Sequence, residues 1–316
     1  MTQYIIRRLI ASIPSLILVS VIIFSLLRLV PGDVVMARLS QAGYVDKTQI
    51  VKMRTQLGLE QPYFRQYATY TGRILRGDFG TSLWTGKRVL PQIGDAMRVS
   101  LQLGVMAFLL AAFLAIPLGI LSAIKRGTWI DYAARLFSIL GLSIPDFWIA
   151  TMLLLALTLW FHWLPQFGYW SLLKDPSRNL QATIFPALIV GYRLCAISAR
   201  MTRSSMLEVL QDDYIRTAWS KGLRERVVVI RHALRNALIP VITILGGQLG
   251  YLLGGLVVIE TIFALPGLGR LAFNAVTLRD YPVIQGVTMV MAVLFILVNL
   301  FIDVSYAVLD PRIRYS

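Results

Sequence analysis

Five charge-free apolar runs constrain the fold of this 316-residue chain more than any other feature. A helix that crosses a bilayer needs roughly 20 predominantly apolar residues, and the runs occupy 9–27, 99–124, 147–173, 236–259 and 281–302. The third run is predicted to belong to a span that begins at Leu136 and ends near Phe161, and 183–199, interrupted by Arg193, supplies a fourth span. The sequence therefore predicts an all-α polytopic membrane protein with six transmembrane helices.

Composition excludes a soluble globular protein. Hydrophobic residues make up 57% of the chain and charged residues 15%, whereas soluble domains carry about 25% charged residues. The first apolar run continues to Val30, beyond the roughly 7–15 residues of a signal-peptide core, and no small-x-small cleavage site follows it before 31–33. We therefore expect a retained first span. Cys195 is the sole cysteine, so an intrachain disulfide is excluded.

The net charge of +15 follows from membrane topology rather than from nucleic-acid binding. With the N-terminus inside, the short inner segments hold 15 of the 31 cations: Arg7, Arg8, Lys125, Arg126, Arg135, Arg200, Arg203, Arg216, Lys221, Arg224, Arg226, Arg231, Arg235, Arg312 and Arg314. The short outer loops hold only Lys174, Arg178, Arg270 and Arg279. The positive-inside rule therefore predicts that both termini are cytoplasmic. Nucleic acid is not expected as a partner.

The segment 31–98 is long enough to fold outside the bilayer, and it is predicted to form an elaborated extracytoplasmic loop. Asp46 can cap a first helix that ends at Gly58. After Pro62, aromatic and apolar residues at helical spacing predict a second helix, and the glycine-rich stretch 77–82 ends it. The loop either only caps the helix bundle or meets an extracytoplasmic binding protein.

A basic, polar loop at 200–236 separates two apolar spans and is predicted to face the cytoplasm. Within it, 207–221 can form a helix, Gly222 permits a sharp turn, and 224–237 can form a second helix. This helix–glycine–helix elbow is predicted to lack an apolar partner of its own in the chain, so it is expected to dock on another protein. The alternative is a solvated basic loop that only orients the fifth span.

Charges and glycines interrupt the apolar spans. An uncompensated charge at mid-membrane costs about 2.5–3.5 kcal/mol, so Asp146 and Arg193 need partners. Three arrangements are open: the two residues pair directly, they line an aqueous pathway, or they are satisfied separately, Arg193 at the inner headgroups and Asp146 near a kink at Pro145. In the fifth span, Gly246, Gly247, Gly250, Gly254 and Gly255 predict a close approach of another helix, in this chain or in a second subunit.

Several chemistries are poorly supported. No glycine-rich phosphate loop ending in Lys-Ser or Lys-Thr occurs, so ATP is not expected to bind by that device. His162 and His232 fall on opposite sides of the predicted membrane and cannot share a metal. No Ser/His/Asp or Cys/His set lies in one compartment in a convincing motif, and nothing resembles a channel filter. We therefore expect neither enzymatic activity nor a cofactor in this chain.

Short motifs that follow one another along the chain resemble the dipeptide/oligopeptide permease family of ABC importers. They are Leu-Gly-Leu-Glu-Gln-Pro at 57–62, Gly-Asp-Phe-Gly-Thr-Ser at 77–82, Ser-Ile-Pro with Phe-Trp within 143–148, the segments 260–271 and 279–286, and Asp-Pro-Arg-Ile-Arg-Tyr at 310–315. The coupling loop of the family reads Glu-Ala-Ala, three residues, then Gly. Arg216-Thr217-Ala218 and Gly222 occupy these positions, with Arg in place of Glu as in the peptide branch, and Arg235 stands where many relatives carry Pro.

The resemblance implies a type I importer permease fold in the inner membrane of a bacterium. It implies four partners besides membrane lipid: a second, related permease subunit that completes a heterodimer, two ATP-binding subunits, and an extracytoplasmic solute-binding protein. ATP would be bound by those partner subunits. Since no internal repeat is evident, one permease domain over 1–316 is predicted. Contact with an ATPase subunit is predicted for Arg216, Thr217, Ala218, Lys221, Gly222 and Leu223.

The expected function is the passage of di- or oligopeptides or similar small solutes through a pathway shared by the two permease subunits, with Asp146 and Arg193 as candidates to line it. Relatives in the family handle peptides, glutathione and nickel complexes. The alternative function is that of an ion-coupled secondary transporter that acts alone.

Overall fold

Apolar runs and proline positions account for most helices of the chain. The computed structural model describes residues 2–29 and 60–309, and their regular structure is helical apart from an isolated antiparallel bridge between Thr81 and Arg88. The helices are α1 (Thr2–Leu29), α2 (Tyr63–Leu75), α3 (Val89–Ile124), α4 (Trp129–Ser143), α5 (Asp146–Phe161), α6 (Pro176–Val209), α7 (Asp213–Ser220), α8 (Glu225–Val227), α9 (Leu234–Gly255), α10 (Val257–Ile262), α11 (Leu268–Thr277) and α12 (Tyr281–Leu309). A π-helical turn, Val228–Ala233, joins α8 to α9.

The helices confirm the prediction of an all-helical polytopic protein. Five segments in the described part of the chain are long and apolar enough to cross a membrane: Gln3–Leu29, Val89–Ile124, Pro176–Val209, Glu225–Gly250 and Tyr281–Val304. The helices α4 and α5 together supply a sixth span if the bent pair counts as one. The cytoplasmic location of both termini stays a prediction.

The third predicted span contains a break rather than a kink. The axes of α4 and α5 meet at 104°. A residue that precedes proline is pushed out of the helical region, and Ile144 is accordingly extended, at φ −93° and ψ 126°. Pro145 lies just before the first residue of α5, where its missing N–H removes no helical hydrogen bond. The proline therefore ends one helix and starts the next.

The chain divides into two compact units. The larger unit contains Val99–Pro266 and the described residues from Leu297 onward. Glycines bring its helices α3 and α6 unusually close together: a Cβ atom added to Gly191 would lie 2.9 Å from the carbonyl oxygen of Ala107, and one added to Gly119 would lie 2.4 Å from Cβ of Thr202. The α3–α6 contact therefore has no room for even a methyl group at these two positions.

The smaller unit contains the described parts of Thr2–Arg98 together with Gly267–Ile296. Its helix α2 packs on α1 through tyrosines: the Tyr67 hydroxyl lies 2.6 Å from Ser20 Oγ, and the Phe24 ring lies between the rings of Tyr63 and Tyr67. This confirms the helix predicted after Pro62. The helix that Asp46 was predicted to cap lies outside the described residues.

A buried carboxylate anchors the irregular stretch that follows α2. Asp280 accepts a hydrogen bond from Ser82 Oγ at 2.5 Å and another from the Leu83 N–H at 3.1 Å. Trp84 Nε1 donates to the Leu278 carbonyl oxygen at 2.6 Å. The end predicted for α2 at 77–82 is confirmed, and the stretch is fixed by its contacts with the segment before α12. The predicted domain bounds, 1–316, 31–98 and 200–236, stay predictions.

Candidate functional site

The predicted cytoplasmic loop folds as an elbow, which consists of α7, the turn 221–224 and α8. The single helix predicted over 207–221 is wrong, because α6 ends at Val209 and Asp212 starts a new helix. The carbonyl oxygen of Asp212 accepts from the Ile215 and Arg216 amides at 3.0 and 3.2 Å. The turn predicted at Gly222 is confirmed, since its φ of +73° lies in the left-handed region that favours glycine.

The buried face of the elbow packs against other residues of the same chain. Ile215 is fully buried and Ala218 is 6% exposed. Both belong to an apolar cluster whose other buried members come from α3, α6, the π-helical turn and α9: Ala123, Met206, Val228, Val229, Ala233 and Ala237. The expectation that the elbow lacks an apolar partner of its own is therefore wrong. The physical reason is that α7 is amphipathic, with Ile215 and Ala218 three residues apart on one face.

The opposite face of the elbow is exposed and carries basic and aromatic side chains. Of the six residues predicted to touch an ATPase subunit, four are exposed, Leu223 is half-buried and Ala218 is buried: the exposed four are Arg216, Thr217, Lys221 and Gly222. Two large aromatic side chains, Tyr214 and Trp219, are exposed beside them, at 41% and 45%. This face presents cations and aromatic rings to a partner, whereas Ala218 lies on the opposite, buried face of the same helix.

Hydrogen bonds and a distorted helix connect the elbow to the next span. The Tyr214 hydroxyl accepts from Asn236 Nδ2 at 2.8 Å, which ties α7 to α9. Between α8 and α9 the chain adopts the π-helical turn Val228–Ala233. Such turns are rare and occur mostly as single turns within α-helices, often at functional sites. The prediction of an ordinary helix over 224–237 missed this turn, which nothing in the sequence pattern signals.

The structure brings Asp146 and Arg193 together. Asp146 is the first residue of α5, Arg193 lies within α6, and their Oδ2 and Nη1 atoms are 4.0 Å apart. The other carboxylate oxygen of Asp146, Oδ1, is buried and has no hydrogen-bond partner among the described residues. Of the three predicted arrangements, this geometry favours direct pairing over separate satisfaction of the two charges. A role in lining a pathway stays a prediction.

A second buried ion pair was missed by the sequence analysis. Asp131, in the first turn of α4, is 1% exposed and receives two hydrogen bonds from Arg203 of α6, Nε to Oδ1 at 2.7 Å and Nη2 to Oδ2 at 3.0 Å. Ser122 Oγ and the Gly127 N–H complete the shell at 2.6 and 3.1 Å. The network joins α3, α4 and α6 at the end where each meets a predicted cytoplasmic loop.

Two family models together match almost the entire chain. The binding-protein-dependent transport system inner membrane component matches residues 115–315, and the N-terminal model of a binding-protein-dependent transport system membrane component matches residues 1–113. The chain belongs to the family of binding-protein-dependent transport system inner membrane components. The resemblance found in the sequence motifs is confirmed.

Curated relatives match this inner membrane component over its full length. The dipeptide transport system permease protein DppB of Alkalihalophilus pseudofirmus is 39% identical over 336 aligned positions, with 100% of both chains covered. The glutathione transport system permease protein GsiC of Salmonella choleraesuis and that of Escherichia coli K12 are 39% identical over 316 positions, again with 100% of both chains covered. A crystal structure of an amino acid ABC transporter aligns over 69% of this chain and 94% of the transporter chain, with 14% sequence identity and a TM-score of 0.49.

Family membership places the inner membrane component in the bacterial inner membrane and implies partners of two kinds, ATPase subunits and a binding protein. Its relatives are transport permease subunits rather than catalytic enzymes. Among the described residues, no group of three or more His, Cys, Asp or Glu side chains is placed to hold a metal ion. The candidate site of this inner membrane component consists of the elbow and of the two ion pairs between its helices.

Proposed function

We propose that this chain forms, with a second related permease subunit, the translocation pathway of an ABC importer for short peptides or peptide-like solutes. The observation that carries the proposal is the full-length relationship, at 39% identity, to permeases named for dipeptide and for glutathione transport. Both solutes carry peptide bonds and charged termini. The proposed complex contains two ATPase subunits below the membrane and a solute-binding protein on the other side.

The elbow is the proposed contact for one ATPase subunit. Its exposed face carries Arg216 and the two aromatic rings, residue types that are enriched where proteins bind each other, and Lys221 lies beside them. Its buried face belongs to an apolar cluster with residues of the π-helical turn, α3, α6 and α9. Because protein interiors are close-packed and yield little, a displacement of the exposed face would be passed through this cluster to the helices that share it. This arrangement supports ATP-driven switching between inward-open and outward-open states.

The pair of Asp146 and Arg193 is the proposed polar element of the pathway. The Asp146 carboxylate is opposite in charge to the ammonium terminus of a peptide, and the Arg193 guanidinium is opposite in charge to its carboxylate terminus. The distance of 4.0 Å exceeds that of a good charge-assisted hydrogen bond, and Asp146 Oδ1 lacks a hydrogen-bond partner among the described residues. The Asp146 carboxylate is thus incompletely satisfied by Arg193, which supports an additional hydrogen-bond donor to Asp146 during transport.

The test replaces Gly222 in the reconstituted complex. A Cβ atom on Gly222 meets nothing within 4 Å, so Gly222→Trp leaves the packing of the subunit intact but adds bulk and left-handed strain to the exposed face. Gly222→Ala is a matched control, because it adds the same left-handed strain at the same open position without the bulk. We expect Gly222→Trp to retain ATP hydrolysis and lose peptide uptake, whereas Gly222→Ala keeps both coupled.

Normal peptide uptake by Gly222→Trp would refute the coupling role of the elbow. The alternative of a secondary transporter acting alone is tested by purification from native membranes. ATPase subunits are expected to co-purify in stoichiometric amount, and their consistent absence would overturn the proposed complex. Competition of dipeptides and glutathione for uptake then distinguishes the two solute classes.

A further inference from the structure

A basic cavity opens between α3, α4 and α6 of the larger unit. Its volume is about 440 Å³, and every charged residue in its lining is an arginine: Arg135, Arg200 and Arg203. Leu118, Ile139 and Leu142 form an apolar wall. The cavity thus combines cations with an apolar surface, which is the chemistry of a site for an amphiphilic anion.

The three arginines differ in how far their charge is compensated. Arg203 is held by Asp131 in the two-bond pair, whereas Arg135 and Arg200 are exposed and make no ion pair with a described residue. Two neighbouring guanidinium groups without a counter-charge attract an anion, and the planar guanidinium fork binds phosphate in a bidentate manner. Phosphate chemistry therefore fits the mouth of this cavity.

The exposed residues of α4 indicate the depth of the cavity in the bilayer. Trp129 and Tyr132, in the first turn of α4, are 77% and 60% exposed. Tryptophan and tyrosine concentrate at membrane–water interfaces. One and two turns further on, Leu136 and Ile139 are exposed apolar residues of the kind that face acyl chains. The cavity therefore lies where headgroups meet hydrocarbon, and the predicted topology assigns it to the cytoplasmic leaflet.

We infer that this cavity binds an anionic phospholipid, with its phosphate between Arg135 and Arg200 and an acyl chain along the wall that contains Leu118, Ile139 and Leu142. Basic pockets between transmembrane helices on the cytoplasmic side bind lipid headgroups of this class. The lipid would contact α3 and α6, which both continue from the cavity to the apolar cluster beneath the elbow at Ala123 and Met206. The lipid is therefore placed to stabilise the helices that carry the elbow.

Native mass spectrometry of the intact complex tests the inference. The complex is reconstituted in phosphatidylcholine nanodiscs with and without phosphatidylglycerol, released into detergent, and the retained lipids are counted. A basic residue near an anionic lipid contributes about a fivefold gain in binding, so Arg135→Gln with Arg200→Gln should weaken phosphatidylglycerol retention about 25-fold. Arg126→Gln is the control, because Arg126 is an exposed cation of the same inner segment that does not line the cavity.

Further variants and a competition experiment distinguish loss of a specific lipid site from misfolding and from binding of soluble phosphate. Arg135→Lys with Arg200→Lys should retain more lipid than the double Gln variant and less than the wild type, because it keeps the charge and loses the bidentate fork; this order shows that the Gln variants fail through charge and not through misfolding. Ile139→Trp should reduce retention with all charges in place, because it fills the apolar wall, and soluble glycerol phosphate should not compete. Equal retention in the wild type and the double Gln variant, an equal loss with Arg126→Gln, or displacement by soluble phosphate would overturn the lipid site.

Discussion

Removal of Arg203 should destabilise the protein more than removal of its partner Asp131. The side chain of Asp131 is 2% exposed, whereas that of Arg203 is 22% exposed. Arg203→Ala leaves a buried carboxylate with only the Ser122 hydroxyl and the Gly127 N–H as donors. Asp131→Ala leaves a cation whose side chain already reaches the surface and can turn toward water.

The expected difference follows from the cost of stranding each charge. Removing one partner of a buried ion pair costs about 3–5 kcal/mol when the remaining charge stays buried. Loss of hydrogen bonds to a group that reaches water costs less, about 1–3 kcal/mol. We therefore expect Arg203→Ala to lower the free energy of unfolding by about 2 kcal/mol more than Asp131→Ala does. The double variant, which strands neither charge, should be less destabilised than Arg203→Ala alone.

Reversible unfolding in mixed micelles of a neutral detergent and SDS measures these free energies, and every variant is compared at the same SDS content. Arg216→Ala serves as the control, because its ion pair with Asp213 at 3.3 Å is solvent-exposed, and exposed pairs contribute about 0–1 kcal/mol. The reasoning fails if Asp131→Ala is the more destabilising variant, or if the effects of the two single substitutions simply add in the double variant.

Three further predictions concern the glycines and the intramembrane charges. Gly191→Ala should destabilise the larger unit by about 1–3 kcal/mol because its Cβ would meet a backbone carbonyl, whereas Gly247→Ala, whose Cβ meets nothing within 4 Å, should leave unfolding unchanged; similar unfolding of both would contradict the close α3–α6 contact. Gly250→Leu and Gly254→Leu should weaken association with the second permease subunit, as measured by co-purification. Asp146→Ala and Arg193→Ala should each lower peptide uptake at normal expression, and full uptake by both would remove any transport role for the pair.

Elements set by local pattern could be predicted from the sequence. The long apolar runs indicated the spans, the aromatic spacing after Pro62 indicated α2, and Gly222 indicated the turn of the elbow. In each case the signal lies within one stretch of chain, because apolar length, helical periodicity and the conformational freedom of glycine act locally. These predictions required no knowledge of which helices touch.

Features that depend on distant contacts could not be predicted. Asp131 and Arg203 are 72 positions apart, and Asp131 reads in sequence as an ordinary charge of a short inner loop. Asp280 is likewise 198 positions from the hydroxyl of Ser82 that it binds. The elbow shows the same limit, because the pattern of α7 reveals an apolar face but not the residues of α3, α6 and α9 that cover it.

The packing of the elbow constrains how force can pass through this inner membrane component. A loop that only docks on an ATPase subunit would need an exposed face alone. Without packed contacts to the helices, such a loop would bend when its partner moves and would not displace the helices. Here the exposed Arg216 and Thr217 directly precede the buried Ala218 in one short helix. In the proposed coupling, a partner that moves the exposed face also moves Ile215 and Ala218 against the apolar cluster that they share with the π-helical turn, α3, α6 and α9, and close packing leaves little room to absorb that movement. The proposed transmission therefore depends on this buried face as much as on the surface that the partner touches.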